Sequence, residues 1–261
     1  DVLVAEIVLS DPDYDFQAED GTHHTFWSIQ DEESIAALET AINGLDCLYV
    51  ADGHHRSAAA SRVRNLHRDR NPEHSGEESY NFFLVVLFPH DQMQILDYNR
   101  IIKDIGDKTA QEFLSELGDN FVIKRVGSAS EARPLSPQKF GLYLENQWYH
   151  LVLNDLGRSR VNESDPVKSL DVSIMQQTML GPILGIHDQR TDERIDFVGG
   201  IRGLEELEKR VDSGEWQAAI ALYPTSIESL MSVADAGEVM PPKSTWFEPK
   251  LKSGLIVHVL D

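Results

Sequence analysis

Six consecutive residues, Asp52-Gly53-His54-His55-Arg56-Ser57, gather an acid, two imidazoles, a guanidinium and a hydroxyl around one glycine. An arginine fork grips two phosphate oxygens at once, and the imidazoles add further donors. Asp52 could orient a hydroxyl, accept its proton or hold a Mg2+ ion. Gly53 permits unusual dihedrals and lets the backbone come close to a ligand. The Ala-rich stretch that follows, residues 57–66, is helical by propensity. The amides of its first turn lack internal partners and lie at the positive end of the helix dipole, where an anion is favoured. On this reading the run is an anion site. The plainer alternative is that Asp52 caps the helix and the charges pair locally. A two-histidine metal clamp does not fit, because neighbours on a helix point about 100° apart. No His or Glu stands at zincin spacing either.

The elements that must hold this turn follow from the patterning. Residues 47–51 read as a buried strand leading into it, so the unit is strand, turn and helix. Residues 2–9 predict an earlier strand and residues 11–21 an acidic loop. Asp31, Glu32 and Glu33 open a helix with Ile35, Leu38 and Ile42 on one face, closed by Gly44. Residues 68–79 carry Pro72 and Gly76 and predict a mobile loop. Residues 81–88 and 93–102 predict two strands of a hairpin. Helices are expected over 109–117, 172–180, 204–211 and 227–233. Strands are expected over 121–126, 140–144, 148–153, 195–198, 218–223 and 255–260. Residues 127–138 are the best candidate linker, dividing the chain into regions 1–126 and 127–261. The class is mixed α and β, an α+β fold.

Composition narrows the partners. Acids outnumber bases 44 to 23, for a formal charge of −21 and a pI near 4.7. Such a surface repels phosphate backbones and anionic lipids, so neither a nucleic acid nor a membrane is expected as partner. A content of 41% hydrophobic and 26% charged residues suits an ordinary globular core. No run approaches the roughly 20 apolar residues of a membrane span, and no signal-peptide pattern opens the chain. Cys47 lies in an apolar run and is expected as a buried thiol, which suits a reducing, cytoplasmic setting. The chain opens on Asp1 straight into an apolar run, so a segment upstream is expected.

Ala51-Asp52-Gly53-His54-His55-Arg56 resembles the signature of an uncharacterised bacterial family, domain of unknown function 1015, assigned to the ParB/sulfiredoxin-like superfamily. Further similar motifs follow in order: His24-Thr25-Phe26-Trp27, Asn81-Phe82-Phe83, residues 177–186, residues 195–200 and residues 234–251. The resemblance spans nearly the whole chain. It implies a ParB/sulfiredoxin-like core over 1–126 that carries the anion site, with a C-terminal α/β region over 127–261 able to pack with it as one unit. Superfamily members with a similar turn include free-serine kinases, which phosphorylate L-serine from ADP or ATP. In other branches a similar turn binds ATP in sulfiredoxins or CTP in ParB proteins.

That resemblance implies a nucleotide-dependent phosphotransferase using Mg2+ with ATP or ADP on a small hydroxylated metabolite, L-serine first among them. The alternative is a non-catalytic nucleotide-binding regulatory module. Asp52 would sit at the transferred phosphoryl group, holding the metal, and would share the catalytic role with His55. Gly53, His54, Arg56 and Ser57 would contact phosphates. Two departures stand out. The serine kinases carry a catalytic Glu upstream of the turn, whereas Glu6 and Glu19 stand in no such motif. Asn99-Arg100 replaces a His-Arg pair, so Arg100 keeps an anion-facing role while the histidine's proton transfer is lost. Sulfiredoxin chemistry is not expected, because Cys47 is not at the turn.

Two other runs were candidates. Residues 240–245 are no P-loop, since a Gly-rich lead is absent and Pro241 and Pro242 remove amide donors. Lys243, Ser244 and Thr245 could still close over a phosphate, or the run could be a rigid turn with a capping hydroxyl. Gly199-Gly200-Ile201-Arg202-Gly203 superficially looks like a dinucleotide turn, but its spacing fails. His23, His24 and Trp27 are expected to serve packing.

Overall fold

The computed structural model of the chain describes residues 2–259. Residues up to Val50 and residues from Ala51 onward form two compact units. In the first, α1 (Val2–Ile7) is helical where the sequence predicted a strand. A lone strand leaves its backbone groups unpaired, whereas a helix satisfies them within the segment. Here Val8 N reaches Val4 O at 3.1 Å. β1 (Tyr14–Gln17) falls inside the expected acidic loop and pairs with β2 (His23–Phe26) in an antiparallel hairpin. Phe16 faces His24, and their rings stack at 5.3 Å. Trp27 Nε1 donates to Ser10 O at 2.9 Å. α2 (Glu32–Asn43) starts where its acids indicated, with Asp31 accepting from Ser34 N at 2.8 Å, and ends at Gly44. Residues 47–50 are irregular and Cys47 is exposed, which corrects both the buried strand and the buried thiol. No strand among the described residues pairs with them.

The second unit begins with α3 (His54–Arg70), whose last turn places His67, Arg68 and Arg70 at the negative end of the dipole. The loop after it, expected to be mobile, carries several side-chain hydrogen bonds. Glu78 accepts from Ser75 N at 2.6 Å, Gly76 N at 3.0 Å and Asn81 Nδ2 at 2.8 Å. The backbone donor from Ser75, above all, holds the Glu78 carboxyl down to about 2. Tyr80 lies between the rings of His67 and His74, at 5.2 and 5.8 Å. Residues 82–87, expected as a strand, are irregular, and each is between 43% and 56% exposed.

β3 (Gln94–Leu96) and β4 (Tyr98–Ile102) divide the next predicted strand at Asp97. α4 (Ala110–Leu117) is closed by a capping box between Thr109 and Glu112. β5 (Phe121–Val126), α5 (Ala129–Ala132), β6 (Lys139–Leu144) and β7 (Gln147–Leu153) follow. α5 occupies the expected linker, and the strands on either side of it join one sheet. Next come α6 (Asp155–Ser159), α7 (Asp171–Met175), a π turn over Gln176–Leu180 and β8 (Ile195–Gly199). α8 (Glu205–Asp212), β9 (Ala218–Ala221), α9 (Ile227–Asp235) and β10 (Trp246–Glu248) complete the order. Residues 255–259 form no strand, and the remainder of that predicted strand lies outside the described residues.

The main sheet is antiparallel in the order β5-β7-β6-β9-β4-β8. Alternate residues of its strands feed two cores. Ile102, Leu142, Leu144, Leu151 and Ile220 meet Phe113 and Leu117 of α4 and Met175 of α7. Ile101, Tyr143, Trp148 and Ala219 meet Leu207 and Val211 of α8. A smaller cluster of Ile95, Leu230 and Phe247 joins α9 to the antiparallel pair β3 and β10. The fold is therefore α+β. No described helix is long and apolar enough to cross a membrane.

Gly199 ends β8 against Trp246, and a Cβ there would fall 2.4 Å from the indole ring. At Gly200 a Cβ would fall 2.3 Å from Asp97 Oδ1, while Gly200 N donates to Asp97 O at 2.7 Å. Close packing thus accounts for the glycine pair. We expect Gly199→Val to destabilise the fold by about 1–3 kcal/mol, read as a lower urea midpoint at unchanged slope.

Asp171, in the first turn of α7, accepts from Gln138 N at 2.8 Å through Oδ1, while its Oδ2 is shut from solvent without a partner. Burial pushes its carboxyl up to about 7. The folded chain therefore keeps the proton up to about pH 7, whereas the unfolded chain loses it near pH 4. Stability should fall across that window as pH rises, because ionisation is resisted only in the folded state. Asp171→Asn should remove this fall, raising the urea midpoint at pH 8 relative to the parent but not at pH 4.

Candidate functional site

The turn is fixed from both sides. Ala51 packs against the cluster of Ile95, Leu230 and Phe247, which anchors the residue just ahead of Asp52. Gly53 then adopts φ 85° and ψ 24°, a left-handed conformation that glycine takes without a Cβ penalty. It N-caps α3 with no side-chain cap, and Ser57 N closes the first helical bond on Gly53 O at 2.9 Å. The amides of His54, His55 and Arg56 precede that bond and have no intrahelical partner. The segment entering the turn is irregular, so loop, turn and helix replace the expected strand, turn and helix.

Asp52 is held by both oxygens. Oδ1 accepts from Gly53 N at 2.7 Å, and Oδ2 lies 2.9 Å from Lys250 Nζ. The Lys250 ammonium, with Gly53 N and Arg56 as lesser contributors, keeps the Asp52 carboxyl below its ordinary range against the opposing effect of burial. The Arg56 guanidinium folds back over Gly53, where a Cβ would lie 3.2 Å from one of its terminal nitrogens. His54, His55 and Arg56 are exposed. Ser57 is half-buried and its hydroxyl donates to Gly53 O at 3.2 Å.

The other expected residues form a second group. Arg100 has no solvent exposure. Its Nε donates to Gln189 Oε1 at 2.9 Å and its Nη2 to Pro242 O at 3.4 Å, while Nη1 serves Tyr98 O. The guanidinium lies 4.8 Å over the Phe197 ring. Burial lowers Arg100 to about 9, which leaves it charged at neutral pH. Lys243 turns the chain at φ 54°, and its Nζ lies 5.6 Å over Tyr98. Ser244 is buried and its hydroxyl is spent on Pro241 O, while its carbonyl accepts from Thr225 Oγ1 at 3.0 Å. Thr245 is half-buried.

Rings and cations link the two groups. Tyr98 meets Phe197 edge-on at 6.0 Å and Trp246 at 5.5 Å. Trp246 Nε1 donates to Glu248 Oε1 at 2.7 Å, and Lys250 N donates to Glu248 Oε2 at 3.0 Å. Lys250 Nζ then lies 5.7 Å from the Trp246 ring and closes on Asp52. The structure thus brings Asp52, Gly53, Arg56 and Ser57 together with Lys250 and ties Arg100 and Lys243 to them through Tyr98 and Trp246, while the Ser244 hydroxyl bonds to Pro241 instead. Sequence reading gave no role to Lys250, Trp246 or Tyr98. A partial signal existed: Trp246 and Glu248 alternate, which places them on one side of an extended chain.

A cleft of about 380 Å³ lies beside Pro241 and Pro242, lined also by Lys168, His187, Gln189 and Arg190. Its lysine and arginine are already paired, Lys168 with Asp165 at 2.8 Å and Arg190 with Asp188 at 2.9 Å. Among the described residues, no group of three or more His, Cys, Asp or Glu side chains could hold a metal ion. Asp52 is a single carboxylate, which suffices for Mg2+ only when phosphates and waters fill the other positions. Its Oδ2 is free for a metal only once Lys250 moves aside.

The chain is similar to several solved structures at low identity. A free serine kinase in complex with AMP is 16% identical, with a TM-score of 0.38, over 84% of this chain and 81% of that one. A variant of that enzyme in complex with ADP is 14% identical, with a TM-score of 0.39, over 84% and 82%. A conserved hypothetical protein from Pyrococcus furiosus is 16% identical, with a TM-score of 0.37, over 83% and 81%. None of the curated proteins compared with the chain matches it. The family described as "Protein of unknown function (DUF1015)" matches residues 1–173, well over half of the sequence, and the chain belongs to that family.

Proposed function

We propose that the Gly53 turn binds the phosphates of a nucleotide, and that the chain transfers a phosphoryl group to a small hydroxylated metabolite, with free L-serine the first acceptor to test. The observation that carries this reading is the uncapped start of α3, where unpaired amides, Arg56, His54 and His55 gather beside a single carboxylate. Such a cationic corner in a chain of charge −21 is suited to a phosphate. Phosphoryl transfer asks mostly for positioning and charge neutralisation. Arg56 and the first-turn amides would take non-bridging phosphate oxygens. Asp52 would orient the acceptor hydroxyl, with His55 beside it as a proton acceptor. The acceptor oxygen bonds to phosphorus as the bond from phosphorus to the nucleotide's bridging oxygen breaks. The hydroxyl proton passes to Asp52 or His55, and the nucleotide leaves one phosphate shorter. Bound Mg2+ would neutralise phosphate charge, and Asp52 is the residue to hold it.

A second reading is a nucleotide-binding regulatory module without turnover. The commitment of Asp52 to Lys250 favours it, since a carboxylate already neutralised is a poor base and a poor metal ligand.

Phosphorus NMR with Mg2+, ATP or ADP and L-serine separates the two. The first reading expects a new phosphomonoester signal that Asp52→Asn abolishes while its urea midpoint stays close to the parent's. Broadened but chemically unchanged nucleotide signals would support the module, and sharp unchanged spectra would sink both. In either reading Arg56→Ala should weaken nucleotide binding about tenfold by calorimetry, the loss of one charge-assisted contact.

A further inference from the structure

We infer that Lys250 is a transferable ligand of this site: it neutralises Asp52 while the turn is empty and passes to the phosphates when the turn is filled. This inference rests on the phosphate-binding reading above and concerns a residue that reading does not use. Lys250 and Asp52 are 198 positions apart in sequence, yet Nζ and Oδ2 meet at 2.9 Å. Both ends are open to water, 47% and 60% exposed. An ion pair of that kind contributes little and opens readily. The ammonium is therefore a loosely held charge, and its long flexible stem suits it to a change of partner.

The base of that stem is not loose. Lys250 N is fixed to Glu248 Oε2 at 3.0 Å, and Glu248 Oε1 is fixed to the Trp246 indole at 2.7 Å. Trp246 belongs to β10, which pairs with β3, and its ring is packed on Tyr98. A fixed pivot with a free head delivers the charge to one place. The charges there require such a device. With the turn empty, Asp52 offsets Lys250. A phosphate seated beside Arg56 would bring new negative charge next to the Asp52 carboxylate, and the two would repel unless a cation moved between them. Lys250 is already within reach.

The same geometry separates Lys250 from its neighbours in the motif. Ser244 has spent its hydroxyl on Pro241 O and is buried, and Lys243 rests over Tyr98. The cation of residues 240–251 that contacts the turn is Lys250.

The test is calorimetric titration of ADP without Mg2+ into the parent chain, Lys250→Gln, Lys250→Arg, Asp52→Asn and the double variant Asp52→Asn/Lys250→Gln. Lys250→Gln should weaken ADP about tenfold, and Lys250→Arg should restore most of the loss. Asp52→Asn should tighten metal-free ADP several-fold by removing the competing anion, and the double variant should bind ADP about tenfold more weakly than Asp52→Asn alone, because Lys250 then contacts the phosphates directly. A Lys250 that only neutralises Asp52 would have no effect once Asp52 is replaced. Equal binding by the parent and Lys250→Gln, or by Asp52→Asn and the double variant, would overturn the inference and leave the nucleotide reading standing. No binding by the parent would overturn both. Should Lys250→Gln fail to fold, the Lys250 Cε resonance of the parent decides the matter. A shift on adding ADP supports the transfer, and an unmoved resonance overturns it.

Discussion

Arg100 lies on β4, between β9 and β8, with no solvent exposure and with its guanidinium on neutral oxygens and the Phe197 ring. A charge withdrawn from water costs several kcal/mol unless its remaining contacts are well made. The residues that make those contacts are therefore constrained, and much of the second unit follows from them. Gln189 gives its oxygen to Arg100, and its Nε2 donates to Gln176 Oε1 at 2.9 Å. Gln176 Nε2 in turn reaches Ile186 O at 2.7 Å, which ties the 181–189 loop back to the π turn. On the other side Pro242 O accepts from the guanidinium, which sets the start of the run that ends at Lys250. Asn99, the neighbour on β4, plays a similar part with its amide: Oδ1 accepts from Leu222 N at 3.0 Å and Nδ2 serves Asp97.

From that buried charge the order reaches the surface in steps, each of a different kind. The guanidinium stacks on Phe197, Phe197 meets Tyr98, Tyr98 meets Trp246, and Trp246 stands beside the ammonium that closes on Asp52. Exposure rises along the series, from a fully enclosed side chain to an ion pair open to water. The phosphate site proposed above would draw on both ends of that series, an enclosed support and an exposed ammonium.

Much of this was legible in the sequence wherever the signal was local. The capping box at Thr109, the apolar, β-prone runs of β5, β6 and β7 and the charged face of α8 each declare themselves within a few residues. The runs at 2–9, 47–51, 82–88 and 255–259 have strand-like composition, yet strand composition only describes fitness for a ladder that other residues must supply. Among the described residues no such ladder exists for them. The same division applies at the site. The Asp52–Ser57 run could be read as an anion turn because its parts are adjacent. Lys250 could not be assigned to it, because nothing in the sequence states that residues 52 and 250 meet. Nor could the sequence show that the Ser244 hydroxyl is consumed by Pro241, since burial is a property of the fold.

The bare apolar ribbon over residues 82–87 has a consequence for the chain as a colloid. His258 Nε2 lies 3.2 Å from Ser79 O, so the apolar residues near 255–259 lie close to where that ribbon begins. Unpaired apolar backbone of this type is a template for β-association between molecules. What opposes it is the mutual repulsion of molecules that each carry a charge of −21. That repulsion reaches only about 10 Å in 0.1 M salt and fades further as carboxylates are protonated. Ionic strength and acidity therefore govern how long the molecules stay apart.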